Sequence, residues 1–231
     1  ALNLTTFLRS IERQTRKPDF VIITSGLCTD ETESILQEYE DTHYDDGFNW
    51  LPLGAGNRSF GRNEAIRFAY DELGVEIIAC TNVSVLGPFW LENIVADINA
   101  GRADVVGGTF HIPRVTPHDE AMALLTQYSQ RQIRDLKFVS ALSMAFTTKA
   151  WKDVGGFPEE LDTSEDTEFV RRLRAANLRF AYAWDATTAW KPSTLTLRGA
   201  VKTYYQFAVT DGKARLMTDQ YAITYLAYLM F

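Results

Sequence analysis

Apolar residues in the first 110 positions alternate between two spacings. Leu4, Phe7, Leu8 and Ile11 follow the i, i+3, i+4, i+7 order of one helix face, and Pro18 closes that stretch. Phe20 to Thr24 is a β-branched run and predicts a strand. Thr29-Asp30-Glu31 supplies a cap and an acidic first turn for a helix whose inward stripe is Thr32, Ile35, Leu36 and Tyr39. Strands are expected at 48–53, 75–80 and 104–110. Helices are expected at 59–73, with Ala65, Ile66 and Ala69 inward, and from Pro88 onward, with Leu91, Ile94, Val95 and Ile98 inward. The second half is less regular. It predicts a helix over 117–135, a small apolar strand over 138–147 and a sharp turn at Gly155-Gly156-Phe157-Pro158. A helix over 165–175, a strand over 178–184 and a helix over 194–209 follow.

Alternating helices and strands predict an α/β fold, with a mostly parallel sheet flanked by helices on both faces. Such a domain opens on a strand, whereas this pattern opens on a helix, so a first strand is expected to be missing. No linker, repeat or low-complexity tract interrupts the pattern, which predicts one compact domain followed by a C-terminal helical extension.

Composition narrows the function classes. The 231 residues are 46% hydrophobic and 23% charged, the profile of a globular protein with a sizeable core. The formal charge of −7 excludes a general nucleic-acid binder, which needs a basic field. Cys28 and Cys80 have no metal-ligand spacing and are read as reduced, core-facing thiols. His43, His111 and His118 are scattered. Residues 1–17 carry Arg9, Arg13, Arg16 and Lys17 without an apolar stretch, so no signal peptide is expected.

Ligands in open α/β sheets bind past the carboxyl ends of the strands. Those ends are Thr24-Ser25-Gly26, Gly54-Ala55-Gly56-Asn57 and Thr81-Asn82-Val83. Arg62 and Asn63 open a helix behind a Gly-rich turn, where an arginine and free amides suit a phosphate; a solvated arginine and a cap are the plainer alternative. Glu165 and Asp166 open a later helix, where capping and dipole alone would favour two acids.

The order of local patterns resembles the family 2 glycosyltransferases of GT-A fold. Pro18-Asp19, Val21-Ile22-Ile23 and Thr29-Asp30 resemble the segment that usually reads P-x-x-I-I-V-V-D-D-G-S-T-D. Gly61-Arg62-Asn63-x-Ala65-Ile66-x-x-Ala69 resembles the family's A-R-N-x-G-I-x-x-A helix. Pro88-x-Trp90-Leu91-Glu92, Asp104-Val-Val-Gly-Gly108 and Gly155-Gly156-Phe157 follow in order, with Asp166 nine residues after Phe157. The resemblance implies an inverting enzyme that moves a sugar from a nucleotide-diphosphate donor to an acceptor hydroxyl. It implies Asp166 as the base, with Glu165 beside it raising its pKa. It places the nucleotide sugar on Thr24, Ser25, Gly26, Arg62, Asn63, Thr81, Asn82, Val83 and Lys191, with Arg58 as a weaker candidate. The acceptor falls on Gly155, Gly156 and Trp190. Residues 1–110 become a nucleotide-binding half and 111–193 an acceptor half of a domain over 1–193, with 194–231 as the extension.

Two departures bear on cofactors. The family's D-x-D motif holds the metal that bridges the diphosphate, and counting back from Trp90 puts Thr81-Asn82-Val83 there. Hard divalent cations want carboxylate oxygens. Many members complete the metal site with a His before a Pro; here Trp190 of Ala189-Trp190-Lys191-Pro192 takes that place. No metal ligand is assigned, and a need for Mg²⁺ or Mn²⁺ stays open. One reading is a metal-free enzyme in which Lys191, with Arg62 or Arg198, supplies positive charge. Another is a module that binds without catalysis. A third is a local shift that brings in Asp185, Asp97 being placed on an exposed helix face.

Gln206 and Asp211-Gly212-Lys213-Ala214-Arg215 resemble the segment that membrane-bound members carry before their first transmembrane helix. Lys202, Lys213 and Arg215 with Tyr204, Tyr205 and Phe207 suit an interfacial helix, and residues 221–231 are almost wholly apolar. The expected partners are a nucleotide sugar, a carbohydrate or lipid-linked acceptor and a membrane surface, with the protein at the cytoplasmic face of the membrane.

Overall fold

A computed structural model describes residues 2–117, 119–120, 123, 129–135, 139–190, 197–214 and 216. The first half follows the predicted alternation: α1 (Leu2–Glu12), β1 (Val21–Ser25), α2 (Thr32–His43), β2 (Phe48–Pro52), α3 (Arg58–Asp71), β3 (Ile77–Cys80), α4 (Trp90–Asn99) and β5 (Val105–His111). A two-residue strand, β4 (Val85–Leu86), precedes α4. The second half contributes α5 (Gln130–Asp135), β6 (Met144–Thr147), α6 (Thr148–Asp153), α7 (Glu165–Ala175), β7 (Phe180–Ala189) and α8 (Leu197–Lys213). Pro88 lies in the turn before α4 rather than in its first residue, because the Trp90 N–H bonds back to the Gly87 carbonyl. Of the helix expected over 117–135, residues 118, 121–122 and 124–128 lie outside the described residues.

The sheet is more mixed than the alternation predicts. β1 and β2 pair in parallel as a separate two-stranded sheet. The five-stranded sheet has the order β3-β6-β5-β7-β4, and only β5–β7 is parallel. The β3–β6, β5–β6 and β4–β7 pairs are antiparallel. The reason is topological. β6 enters from the irregular second half and lies between β3 and β5, a pairing no local period encodes.

Alternate residues of each central strand serve two cores. Val106 and Ala145 face α1 and α4, whereas Val105, Met144 and Phe146 face α3, α6 and α7. In the second core Phe157 stacks on Phe169 with centroids 4.0 Å apart, and Phe146 meets Phe169 edge-on at 5.3 Å.

β1 and β3 both line a cleft of about 1010 Å³. The Val21 N–H bonds to Gly47 and the Ser25 carbonyl accepts from Leu53, so the odd residues of β1 turn to β2 and Ile22 and Thr24 present their peptide groups to the cleft. The Thr148 N–H bonds to Glu76, which likewise turns Ile77 and Ala79 toward it. Where β1, β2 and β3 end, the cleft has a polar rim carrying Ser25, Gly26, Gly54, Asn57, Arg58, Arg62, Thr81 and Asn82.

Candidate active site

The candidate base sits on a strained turn. Ser164 adopts φ 57°, a left-handed conformation uncommon outside glycine, and makes no side-chain cap for α7. The kink starts α7 at Glu165, whose carboxylate meets Arg62 of α3, while Asp166 reaches the Ser140–Ala141 segment with one oxygen and its own helix with the other.

Asp166 Oδ2 accepts the Ser140 hydroxyl and the Ala141 N–H, both at 3.1 Å, while Oδ1 accepts the Thr167 N–H at 2.8 Å. Burial raises the Asp166 pKa above the ordinary carboxylate range, and the charge of Glu165 raises it further. The Ala141 N–H, Arg62 and Ser140 oppose the shift without cancelling it. The Ser140–Ser143 turn is a junction. The Leu142 carbonyl accepts Thr81 Oγ1 at 3.0 Å and Thr188 Oγ1 at 3.3 Å, and Ser143 Oγ accepts Trp90 Nε1 at 2.9 Å. Asp166 is thereby fixed to the ends of β3, β7 and α4. Ser140 and Ala141 escape the sequence reading because they lie 26 and 25 residues from Asp166 and carry no signal beyond small size.

Arg62 joins the two halves. Its Nη1 donates to Glu165 Oε1 at 2.7 Å, its Nη2 donates to Asn82 Oδ1 at 2.8 Å, and its Cζ lies 5.3 Å from the centre of the Phe157 ring. Burial works against its charge. A thiolate at Cys80 would favour it, but burial raises the Cys80 pKa and keeps that thiol protonated. Glu165 is therefore the counter-ion, and the Arg62 pKa is raised overall. Asp166 lies behind this pair, beside the cleft wall rather than among the residues that line the cleft.

The other expected site residues divide sharply. Thr24, Ser25, Gly26, Thr81, Asn82 and Val83 share the cleft with Arg62. Ser25 Oγ is held by Trp50 Nε1 at 2.9 Å. Asn63 is buried, and its amide is spent on the turn after α6. Oδ1 accepts Trp151 Nε1 and the Phe157 N–H, and Nδ2 donates to the Phe157 carbonyl and Glu159. An amide with four partners has no donor left for a nucleotide. Gly155 and Gly156 line a separate depression of about 510 Å³ that contains neither Arg62 nor Asp166. Gly156 has φ 77°, and a Cβ there would stand 2.8 Å from Asn63 Oδ1, so this glycine shapes the turn that carries Phe157 into the core. Trp190 packs on Ile112 and Ala123 and meets Phe110 edge-on at 6.3 Å. Lys191 lies outside the described residues.

The model of glycosyl transferase family 2 matches residues 1–150. The chain belongs to glycosyltransferase family 2. Solved structures agree on the GT-A fold. The mannosyltransferase PcManGT from Pyrobaculum calidifontis, in complex with GDP-Man and Mn²⁺, superposes with a TM-score of 0.68 at 18% identity, covering 91% of this chain and 58% of that one. S. aureus TarS 1-349 in complex with UDP-GlcNAc gives 0.62 at 18% identity, covering 84% and 56%. The same protein with UDP gives 0.58 at 20% identity, covering 90% and 61%. This chain thus spans a little over half the length of these proteins. No curated protein matches it by sequence.

Family membership raises the question of a metal, and the donor set answers it. Asn82 Oδ1 is aimed at a guanidinium. Thr81 Oγ1 is engaged with the Asn82 carbonyl, Ser84 and Leu142. Val83 is exposed and apolar, and Trp190 sits in an apolar contact. Asp97 pairs with Arg102 at 2.6 Å, and Asp185 is an exposed residue whose carbonyl meets Asn93 of α4. Among the described residues no group of three or more His, Cys, Asp or Glu gathers to hold a metal ion. These residues do not fit a hard divalent cation, which requires several oxygen ligands with carboxylates among them.

Proposed function

We propose that this family 2 chain is the core of an inverting glycosyltransferase acting from a nucleotide-diphosphate sugar. The observation that carries the reading is the Asp166 carboxyl, fixed by Ser140 and Ala141 next to the Arg62–Glu165 pair of the cleft wall. The acceptor oxygen attacks the anomeric carbon, its proton passes to Asp166, and the bond from that carbon to the diphosphate oxygen breaks with its electrons leaving on phosphate. One displacement inverts the centre. A carboxylate whose pKa is raised is a stronger base than a solvated one. The donor lies along the rim from Ser25 to Asn82. GDP-Man and UDP-GlcNAc in the neighbours' complexes support a nucleotide-sugar ligand.

A carbohydrate or lipid-linked acceptor and a membrane surface at the cytoplasmic face belong to the same proposal. Support comes from α8, on which Lys202 and Tyr205 are exposed. No helix among the described residues is long and apolar enough to cross a membrane. Residues 217–231 lie outside the described residues.

A second reading, a domain that binds a nucleotide sugar without turning it over, draws on the missing metal ligands. Asp166→Asn separates the two. The enzyme reading expects transfer to fall by about 10²–10⁴-fold with nucleotide affinity nearly unchanged. Turnover equal to wild type in that variant removes Asp166 from the mechanism. Absence of turnover by the wild type with every donor favours the binder.

A further inference from the structure

We propose that Arg62 is the resident cation of the donor site, its guanidinium standing where the family's metal would meet the diphosphate. The inference rests on the nucleotide-sugar reading above and goes beyond it by assigning the charge that stabilises the leaving group.

Three observations converge on this residue. First, Arg62 lines the polar rim of the cleft together with Ser25, Thr81 and Asn82, where the strand ends open. Second, it donates to Asn82 Oδ1, a side-chain oxygen within the Thr81-Asn82-Val83 segment that stands in place of the family's metal motif. A divalent ion on that same oxygen would sit about 2.0–2.6 Å from it, within van der Waals reach of a positive guanidinium. The oxygen therefore serves one cation, and here that cation is covalently part of the protein. Third, the charge is secured from below. Glu165 holds Nη1, and the Phe157 ring supports the guanidinium plane, so Arg62 is pre-positioned before any ligand arrives. With Glu165, Asn82 and the neighbouring Cys80 sulfur as partners, the five-donor fork still has N–H groups left for phosphate oxygens.

The arrangement also explains the conjunction of departures. A cluster of carboxylates at 81–83 would compete with Glu165 for Arg62, whereas a neutral Asn accepts from it without consuming its charge. Exposed Arg58, at the first turn of α3 and with no ion pair among the described residues, adds a second cation on the same rim. When the bond to the anomeric carbon breaks, the electron pair stays on the terminal phosphate oxygen, and that added negative charge falls toward Arg62.

The test is calorimetric titration of UDP, GDP, CDP, ADP and dTDP into the full chain, in EDTA and in Mn²⁺. One of these is expected to bind in EDTA, with Mn²⁺ changing its affinity by less than about threefold. Arg62→Lys keeps charge but loses the fork, and is expected to weaken binding in EDTA. Arg62→Met combined with Glu165→Gln removes both members of the buried pair and leaves Asp166 its bonds from Ser140, Ala141 and Thr167, so it keeps the fold testable, and is expected to weaken binding by about tenfold or more. Asn82→Asp, nearly isosteric, is expected to weaken metal-free binding because it neutralises Arg62 a second time. Binding that needs Mn²⁺, or that is indifferent to the Arg62 and Asn82 variants, overturns the inference and leaves the transferase reading standing. No diphosphate bound with or without Mn²⁺ overturns both.

Discussion

Asp166 holds a proton more tightly in the folded chain than in the unfolded one, because burial and the neighbouring Glu165 raise its pKa. The unfolded value is about 3.9. A raised folded pKa means that the group's stabilising contribution is complete below the unfolded pKa and is lost as pH rises through the folded pKa. Where the side chain is ionised it therefore works against the fold. Asp166→Asn loses an acceptor for one of its three donors at every pH, so the expected signature is in the pH dependence: its melting temperature relative to wild type is higher at pH 7 than at pH 4. Thermal unfolding at the two pH values checks this, and a difference that is the same at both, or larger at pH 4, contradicts it. The carboxylate pair is legible in the sequence because Gly155-Gly156-Phe157 stands nine residues upstream of Asp166. The partners are not. Ser140 and Arg62 reach α7 only through the fold, and the same spacing that singles out Asn63 as a ligand gives no hint that its amide is saturated by Phe157, Trp151 and Glu159.

At the level of elements, periodicity reveals what is local. α2, α3 and α4 and the strands between them lie close to the predicted places, because each buries one stripe or one face. The pattern fails where pairing is non-local. β4 is too short to show a period, and β7 runs to Ala189 rather than ending at 184 because Thr187, Thr188 and Ala189 pair with Thr109, Phe110 and His111 across a register shift. Close approach drives that irregularity. A Cβ on Gly108 would lie 2.1 Å from Ser143 Oγ and 2.6 Å from the Ala186 carbonyl, so only glycine lets β5 pass the junction turn. The turn at Gly155–Pro158 links core and site, since Phe157 is buried between Phe146 and Phe169 and also lies under Arg62. Phe157→Ala is expected to cost about 3–5 kcal/mol, a large share of the 5–15 kcal/mol typical of a domain. Urea unfolding measures it. A loss below about 1 kcal/mol would mean that the aromatic cluster does not anchor this side of the cleft.

For the whole molecule, the chemistry depends on bringing two halves of different character together. The first half, a regular α/β alternation, builds the cleft and its polar rim. The second half, poorly periodic, brings Glu165 against the rim residue Arg62 and holds Asp166 beside that pair through Ser140 and Ala141. The chain order of motifs is readable, whereas the mixed sheet that closes the halves on each other is not, since β6 pairs on both sides with strands of the first half. The pH dependence of turnover probes the union of the halves directly. With saturating donor and acceptor, kcat is expected to fall on the acid side with a single ionisation above the ordinary carboxylate pKa of about 3.9, and that limb should disappear with the activity in Asp166→Asn. A kcat that stays flat through the acid range while the protein remains folded, or an acid limb that persists in an active Asp166→Asn, would contradict the assignment of Asp166 as the base.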